Sequence, residues 1–172
     1  FYGMGKNKLQ AELGVSKDKA TELFKKYHLQ VPFVKQLMDA VMRRAQESGR
    51  IRTLLGRVCR FHLWEPAQFG IHKALTHEEA LREHGPGIKR AYTYKALNRL
   101  IQGSAADMTK KAMLDLYNEG ITPHIQVHDE LDISIESDIK AKKIKQIMES
   151  AVTLEVPNKI DYEFGTNWGN IK

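Results

Sequence analysis

The chain has 172 residues, of which 42% are hydrophobic and 28% charged, a composition typical of a globular domain with its own core. It has no apolar run long enough to cross a bilayer and no basic-then-apolar leader, so we expect neither a membrane protein nor a secreted one and predict a cytoplasmic location. The single cysteine, Cys59, excludes an internal disulfide framework and a zinc site built from several thiolates.

The net charge of +6 is distributed unevenly along the chain. Residues 1–60 carry 13 Lys and Arg against 5 Asp and Glu, whereas residues 61–172 carry 14 against 16. A basic half is typical of proteins that bind polyanions such as nucleic acid. A solvated basic surface without a partner would give the same counts, so both interpretations stay open at this point.

The first 49 residues are predicted to be helical, because apolar residues recur there at helical spacing and each helix has residues typical of its ends. The predicted helices are 6–13, which Gly14 ends, 17–28, which Ser16 caps, and a third that begins at Pro32 and stops at Gly49.

The middle of the chain contains two short predicted strands, 50–54 and 57–63, around a turn at Gly56. Residues 65–95 show the least regular pattern. Within them, Thr76 and Glu79 have the spacing of a capping box, which predicts a short helix over 77–84.

The last third of the chain begins with a predicted long helix from about Tyr92 to Asn118, followed by an extended stretch over 123–135. A helix over 138–153, capped by Ser137, comes next. The alternation of Ile160, Tyr162 and Phe164 then predicts a final strand. This order of elements predicts an α+β fold with a mainly antiparallel sheet.

Residues 125–135 are the most informative segment. A single continuous strand would place Asp129 on the same face as Val127 and Leu131, and burying an unpaired carboxylate there would be very costly. The chain therefore either turns at His128–Glu130, with the acids at the tip of a hairpin, or neutralises Asp129 with a cation. A hard cation such as Mg²⁺ prefers carboxylate oxygens. A polar hairpin turn without chemistry remains the alternative.

Four motifs occur in order: Tyr2-Gly3-Met4-Gly5, Thr53-Leu54-Leu55-Gly56-Arg57, Asn98 to Asp107, and Gln126 to Leu131, and the chain then ends with Gly165-Thr166-Asn167-Trp168-Gly169. Together they resemble the C-terminal half of the polymerase domain of family A, the DNA polymerase I-like enzymes. The sequences of these motifs are most similar to those of bacteriophage members. The resemblance covers nearly the whole chain. It implies the palm and fingers portion of a right-hand polymerase, with an antiparallel sheet whose motif C hairpin packs against long helices.

The resemblance implies a role for each matching position. In motif C, Asp129 matches a ligand of the catalytic Mg²⁺ ions, Glu130 is a second candidate ligand, and His128 lies near the primer terminus. Tyr2 and Gly3 match the end of the fingers helix that approaches the templating base.

Three further positions match residues that contact the primer–template duplex: Asn98, Gln102 and Arg57. Asn98 and Gln102 are four residues apart, so they share one face of a helix and can offer amide groups to the minor groove. Arg57 belongs to a basic cluster suited to phosphate contacts, whose members are Arg43, Arg44, Arg50, Arg52, Arg57 and Arg60.

The resemblance also implies that this chain is one part of a larger enzyme. We interpret it as a single C-terminal segment, with fingers-side helices over about 1–49 and palm over about 50–172. The motif A aspartate, the dNTP-binding face of the fingers helix and the thumb precede Tyr2-Gly3 in the family. We therefore expect an N-terminal polymerase part as a partner, with primer–template DNA and dNTP, in a bacterial or phage-infected cell, and no activity from the chain alone.

Three alternatives remain. A single-subunit RNA polymerase shares the hand-like fold, but Glu130 and the Gln102-Gly103-Ser104 segment favour the DNA enzyme. A second alternative is a non-catalytic subunit or relic that only binds duplex DNA. Asp129 argues against it, because a relic has no reason to keep an acid that is costly at that position. The third is a structural α+β domain whose motif matches arise by chance.

Overall fold

The protein, seen here as a computed structural model, is described over residues 5–68 and 73–171, and within these ranges it folds as helices and short antiparallel strand pairs. The helices are α1 (Lys6–Leu13), α2 (Lys17–Gln30), α3 (Pro32–Ser48), α4 (His77–His84), α5 (Ala96–Asn118) and α6 (Asp138–Ser150). The strands are β1 (Arg50–Arg52), β2 (Val58–Arg60), β3 (Trp64–Pro66), β4 (Ile88–Arg90), β5 (Ile125–Val127) and β6 (Glu130–Asp132). The predicted α+β class is confirmed.

The strands pair as β1 with β2, β3 with β4, and β5 with β6. The chain forms two compact units whose boundary, between Gln102 and Gly103, lies inside α5. None of the described helices is both long and apolar enough to cross a membrane.

The helices of the first unit begin and end where local chemistry allows. Gly14 adopts φ +61° after α1, and the Ser16 side chain accepts a hydrogen bond from the Lys19 amide at 3.2 Å to cap α2. Pro32 starts α3 at the position where its missing N–H has no intrahelical partner. These predicted helix ends are confirmed.

The core of the first unit lies between α3, the β1–β2 pair and the start of α5. Its buried residues come from all three elements, and Met42, Cys59 and Leu100 pack against them; the buried set is Val41, Ala45, Ile51, Phe61 and Ala96. This packing fixes where the first turns of α5 lie on the β1–β2 pair.

A smaller substructure of the same unit consists of β3, α4 and β4. The predicted capping box is confirmed: the Glu79 amide donates to Thr76 Oγ1 at 3.3 Å, and the Thr76 amide donates to Glu79 Oε2 at 3.0 Å. The strands β3 and β4 were not predicted, because their pairing joins segments on either side of α4.

In the second unit, the core lies between the end of α5, the β5–β6 pair and α6. Leu116, Ile121 and Ile144 are buried, and Leu131 and Ile133 pack against them. Gly120 adopts φ +73°, a conformation that favours glycine, and the Ile121 amide then donates to the Leu116 carbonyl at 2.9 Å. The turn after α5 therefore brings Ile121 back against the last turn of that helix.

Two predicted elements differ from the structure. The long helix begins at Ala96 rather than Tyr92, because Tyr92 has φ +61° and residues 93–95 form a 3₁₀ turn. The predicted final strand is absent from the described residues. The segment with Ile160, Tyr162 and Phe164 pairs with no strand there, and Phe164 is 71% exposed. Alternating apolar residues allow a strand, but a strand also requires an edge to pair with.

Candidate functional site

The β5–β6 pair is a hairpin with a two-residue turn at His128 and Asp129. Val127 pairs with Glu130, Gln126 with Leu131, and Ile125 with Asp132. Asp129 is therefore at the tip, where it is exposed and forms no hydrogen bond or ion pair with any other described residue. The turn that the sequence predicted at His128–Glu130 is confirmed, with Glu130 as the first residue of β6.

The turn depends on a left-handed backbone at His128, whose φ is +53°. Positive φ at the first central residue alone is the pattern of a type II′ turn, which matches the twist of a hairpin. A non-glycine residue in this region costs of order 1 kcal/mol. The Gln126 side chain donates a hydrogen bond from Nε2 to the His128 carbonyl oxygen at 3.0 Å and so supports the strained residue.

The register gives the hairpin two different faces. Leu131 and Ile133 pack against the core of the second unit, whereas Gln126, which is opposite Leu131, is exposed. Ile125 and Val127 lie on the other face with Glu130 and Asp132, and this face is largely exposed. The half-buried Leu131 and Ile133 hold the hairpin against α5 and α6, while the acids at the tip remain accessible to solvent.

The hairpin tip offers the oxygen donors that Mg²⁺ prefers, from Asp129 and Glu130. Both side chains are exposed, so their carboxylates can contribute ligands without first breaking a hydrogen bond or ion pair to another described residue. No group of three or more His, Cys, Asp or Glu side chains that could hold a metal ion occurs in the described part of the chain. Further ligands would have to come from elsewhere.

Arg57 ends the turn between β1 and β2 and is exposed. The Thr53 amide donates to the Arg57 carbonyl at 2.9 Å, and Arg52 Nη1 donates to the Gly56 carbonyl at 2.9 Å. Gly56 has φ +87°, which allows the tight turn. These backbone contacts hold the turn, so the Arg57 side chain projects from a fixed backbone.

The β1–β2 pair concentrates positive charge. Arg50 lies directly opposite Arg60, and Arg52 follows two residues later on the same face. No ion pair with a carboxylate involves these three side chains among the described residues. Like charges placed opposite each other destabilise a strand pair. The arrangement favours an anionic partner that would relieve the repulsion.

Asn98 and Gln102 lie one turn apart on α5, as the sequence predicted. Gln102 is exposed. Asn98 is half-buried, and its Oδ1 atom is shielded from solvent and accepts no hydrogen bond from the described residues. A shielded amide oxygen without a donor is unusual in a folded protein. The Asn98 side chain therefore has unused capacity for a hydrogen bond.

The structure thus places the predicted residues in separate local settings. His128, Asp129 and Glu130 are together on the hairpin of the second unit, whereas Arg57, Asn98 and Gln102 belong to the first unit. Tyr2 and Gly3 lie outside the described residues. Arg99 was missed, although it lies between Asn98 and Gln102: its guanidinium lies over the Phe61 ring, with Cζ 4.9 Å from the ring centroid. No signal in the sequence pairs these two residues.

The sequence profile of DNA polymerase family A matches residues 1–170. The chain is 38% identical over 140 residues to a DNA-directed DNA polymerase of Pseudomonas phage M6, covering 81% of the chain and 18% of that polymerase. It is 32% identical over 180 residues to DNA polymerase I of Geobacillus stearothermophilus, covering 99% of the chain and 19% of that enzyme. The chain thus spans about a fifth of the length of these relatives.

Among solved structures, the chain is similar to the POL domain of Pol1 from M. smegmatis in complex with DNA primer-template and dNTP. The TM-score is 0.66 at 27% sequence identity, and the match covers 91% of this chain and 26% of that one. The similarity therefore extends over both compact units of the chain.

Proposed function

This chain belongs to DNA polymerase family A, and we propose that it is the C-terminal part of an enzyme that copies a DNA template by adding nucleotides from dNTP to a primer 3′ hydroxyl. The carrying observation is the exposed Asp129 at the tip of a two-residue hairpin turn, within a sequence that matches the family along almost its whole length. The boundary between fingers-side helices and palm near residue 49 is part of the proposal.

The proposed chemistry uses Asp129 as a metal ligand, with Glu130 as a weaker second ligand. Two Mg²⁺ ions, when bound, would activate the 3′ hydroxyl and stabilise the charge on the leaving pyrophosphate. The protein's part is to hold carboxylate oxygens at a fixed point, which the Gln126–His128 hydrogen bond and the packing of Leu131 and Ile133 against the core both favour. His128, the other turn residue, would lie beside the primer terminus.

Duplex binding is proposed for the first unit. Asn98 and Gln102 would offer amide groups to minor-groove acceptors that all base pairs share, which suits an enzyme that must accept any sequence. Arg57 and the opposed arginines Arg50 and Arg60 would contact phosphates. The primer–template and dNTP named for the M. smegmatis structure support these as ligands. Tyr2 and Gly3 keep their proposed place near the templating base.

We further propose that an upstream polymerase part completes the site. The hairpin supplies at most two adjacent carboxylates, whereas two metal ions held a few ångströms apart require ligands from more than one element. The upstream part would contribute the motif A aspartate, the dNTP-binding face of the fingers helix and the thumb. The chain alone would then bind duplex weakly and extend no primer.

A non-catalytic duplex-binding subunit remains the second candidate, because one argument against it has weakened. The sequence suggested that Asp129 would be costly to keep without a catalytic role. In the structure Asp129 is exposed, so a carboxylate there costs little. The retained acid therefore does not by itself exclude a relic.

Primer extension separates these functions. The chain is assayed on a primed template with Mg²⁺ and all four dNTPs, with and without the upstream part. Extension only in the mixture supports a site completed by two parts. Extension by the chain alone contradicts the proposed dependence on the upstream part, and duplex binding without extension in either reaction favours the second candidate.

A further inference from the structure

Arg99 forms an unusual set of contacts for an exposed cation. Its guanidinium lies over the ring of Phe61, which is 3% exposed, with Cζ 4.9 Å from the ring centroid. Nη1 lies 3.5 Å from the Arg60 carbonyl oxygen and 3.8 Å from Cys59 Sγ. No carboxylate pairs with Arg99 among the described residues. All of these partners belong to β2 or to the residue that follows it.

These contacts join two elements to which duplex binding is proposed. Arg99 lies directly after Asn98 and three residues before Gln102 on α5, and its partners continue from the turn that carries Arg57. The Phe61 amide also donates to the Gly49 carbonyl at 2.8 Å, so the aromatic platform is itself tied to the end of α3. A cation over an aromatic ring is an attractive contact of about 0.5–1 kcal/mol at exposed sites.

We infer that Arg99 is a positioning residue, which fixes the rotation of α5 so that Asn98 and Gln102 meet the same duplex as Arg57. The inference rests on the proposed function. A side-chain tip lies about 5–6 Å from the axis of a helix, so a rotation of about 20° moves it by about 2 Å. Hydrogen bonds lose most of their strength over such a displacement. A contact that prevents the rotation therefore acts on duplex affinity without touching DNA.

The chemistry of arginine distinguishes this role from a direct phosphate contact. Lysine keeps the charge, but its single ammonium group cannot lie over the Phe61 ring and reach the Arg60 carbonyl at the same time. A phosphate contact tolerates lysine, whereas a contact that holds the ring and the carbonyl together is weakened by it. A lost phosphate contact also lowers the slope of log K against log salt concentration by about 0.9, whereas lost positioning leaves the number of neutralised phosphates unchanged.

The test measures binding of a fluorescently labelled primer–template by the polymerase assembled with its upstream part, over a series of salt concentrations. Arg99→Met and Arg99→Lys are compared with wild type, at a temperature well below the Tm of each variant. Lys110→Met is the matched control, because it removes one charge from an exposed position of α5 with no hydrogen bond or ion pair to a described residue. We expect both Arg99 variants to bind up to roughly fivefold more weakly with an unchanged salt slope, and the control to bind as wild type does.

A second measurement removes the platform instead of the cation. Phe61→Leu should weaken duplex binding, and Arg99→Met added to it should cause little further loss, because the two changes remove the same contact. Wild-type affinity in Arg99→Met overturns the inference, and so does a normal Arg99→Lys combined with a reduced salt slope in Arg99→Met. If the wild-type polymerase itself does not bind duplex, the proposed function fails and the inference about Arg99 fails with it. If wild type binds duplex and only the Arg99 results are contrary, the inference alone fails.

Discussion

A Cβ atom at Gly49 would lie 2.7 Å from Cζ of Arg90, closer than real side chains approach. The Arg90 guanidinium cannot easily move away, because Nε donates to the Gln46 carbonyl at 3.1 Å and Nη1 to the Phe61 carbonyl at 2.9 Å. Its Cζ also lies 4.6 Å from the centroid of the Trp64 ring. Gly49 thus ends α3 and makes room for the side chain that ties α3 to β4.

Gly49→Ala is expected to lower the free energy of unfolding by about 2–4 kcal/mol, since it combines left-handed strain with displacement of Arg90. Gly14→Ala is the matched control: Gly14 also has positive φ, +61°, but nothing lies within 4 Å of its missing Cβ. It should cost only about 1 kcal/mol. Urea unfolding of both variants measures the difference, and equal losses would contradict the role assigned to Arg90.

Asp129→Asn is expected to lower primer extension by the assembled polymerase by at least about a thousandfold while duplex affinity changes less than about threefold, because the amide keeps the shape but is a poor ligand for Mg²⁺. Asp161→Asn provides the control, since Asp161 is an exposed acid outside the hairpin. Extension and anisotropy assays on the same preparations separate the two effects. Retained extension by Asp129→Asn would falsify the proposed ligand role.

Removal of divalent metal from the wild-type polymerase should have the same effect as Asp129→Asn, a loss of primer extension without a loss of duplex binding. Chelation with EDTA is expected to abolish extension and to leave duplex binding almost unchanged, because the phosphate contacts proposed for Arg57 and for the arginines of β1 and β2 need no metal. Excess Mg²⁺ should restore extension fully. The proposal is contradicted if extension survives exhaustive chelation.

Arg57 and Gln102 should affect duplex binding in different ways. Arg57→Ala is expected to reduce the salt slope by about 0.9, since one phosphate contact is lost. Gln102→Ala should weaken binding by about 1 kcal/mol with no change of slope, because the amide neutralises no phosphate. Binding measured between low and moderate salt distinguishes them. A change of slope in Gln102→Ala would contradict the minor-groove role.

The start of α4 should lose stability in acid. The Thr76 hydroxyl, and then its backbone amide, donate to the Glu79 carboxylate and lower the pKa of Glu79. Because the folded pKa lies below the unfolded one, the contribution is complete above the ordinary pKa and is lost as the pH falls through the folded value, which places the loss below about pH 4.

NMR titration of Glu79 checks this prediction directly. In Thr76→Val the side-chain donor is absent while the backbone donor remains, so the pKa of Glu79 should rise part of the way towards its ordinary value. An unchanged pKa in this variant would show that the Thr76 hydroxyl is not the main cause.

The local features of the fold could be predicted because their causes are local. Ser16, Pro32 and the Thr76–Glu79 pair mark helix starts through atoms three residues away or fewer, and the sequence alone identifies them. The pairing of β3 with β4 could not be predicted, since the two strands are separated by all of α4. The tail with Tyr162 and Phe164 shows the opposite error, because alternation describes one strand and says nothing about its neighbour.

The residues of the candidate site also divide into those that local sequence identifies and those that depend on distant parts of the chain. Asp129 could be singled out because a carboxylate in an apolar run requires either a turn or a cation, and the chain turns there. Arg99 could not, because its role depends on Phe61 and on a backbone carbonyl from a distant strand. The exposure of Asp129 was likewise hidden in the sequence, since it depends on which face of the hairpin meets the core.

The two-residue turn at His128 and Asp129 makes the number of residues in the hairpin as important as their identity. With two residues in the turn, Leu131 shares a face with Gln126 and meets the core. One codon more or fewer between Val127 and Glu130 would reverse the alternation of β6, so that Glu130 and Asp132 faced Leu116 and Ile144 while Leu131 faced solvent. A substitution at this hairpin changes one side chain, whereas an insertion or deletion in the turn would reverse which side chains of β6 face the core and which face solvent.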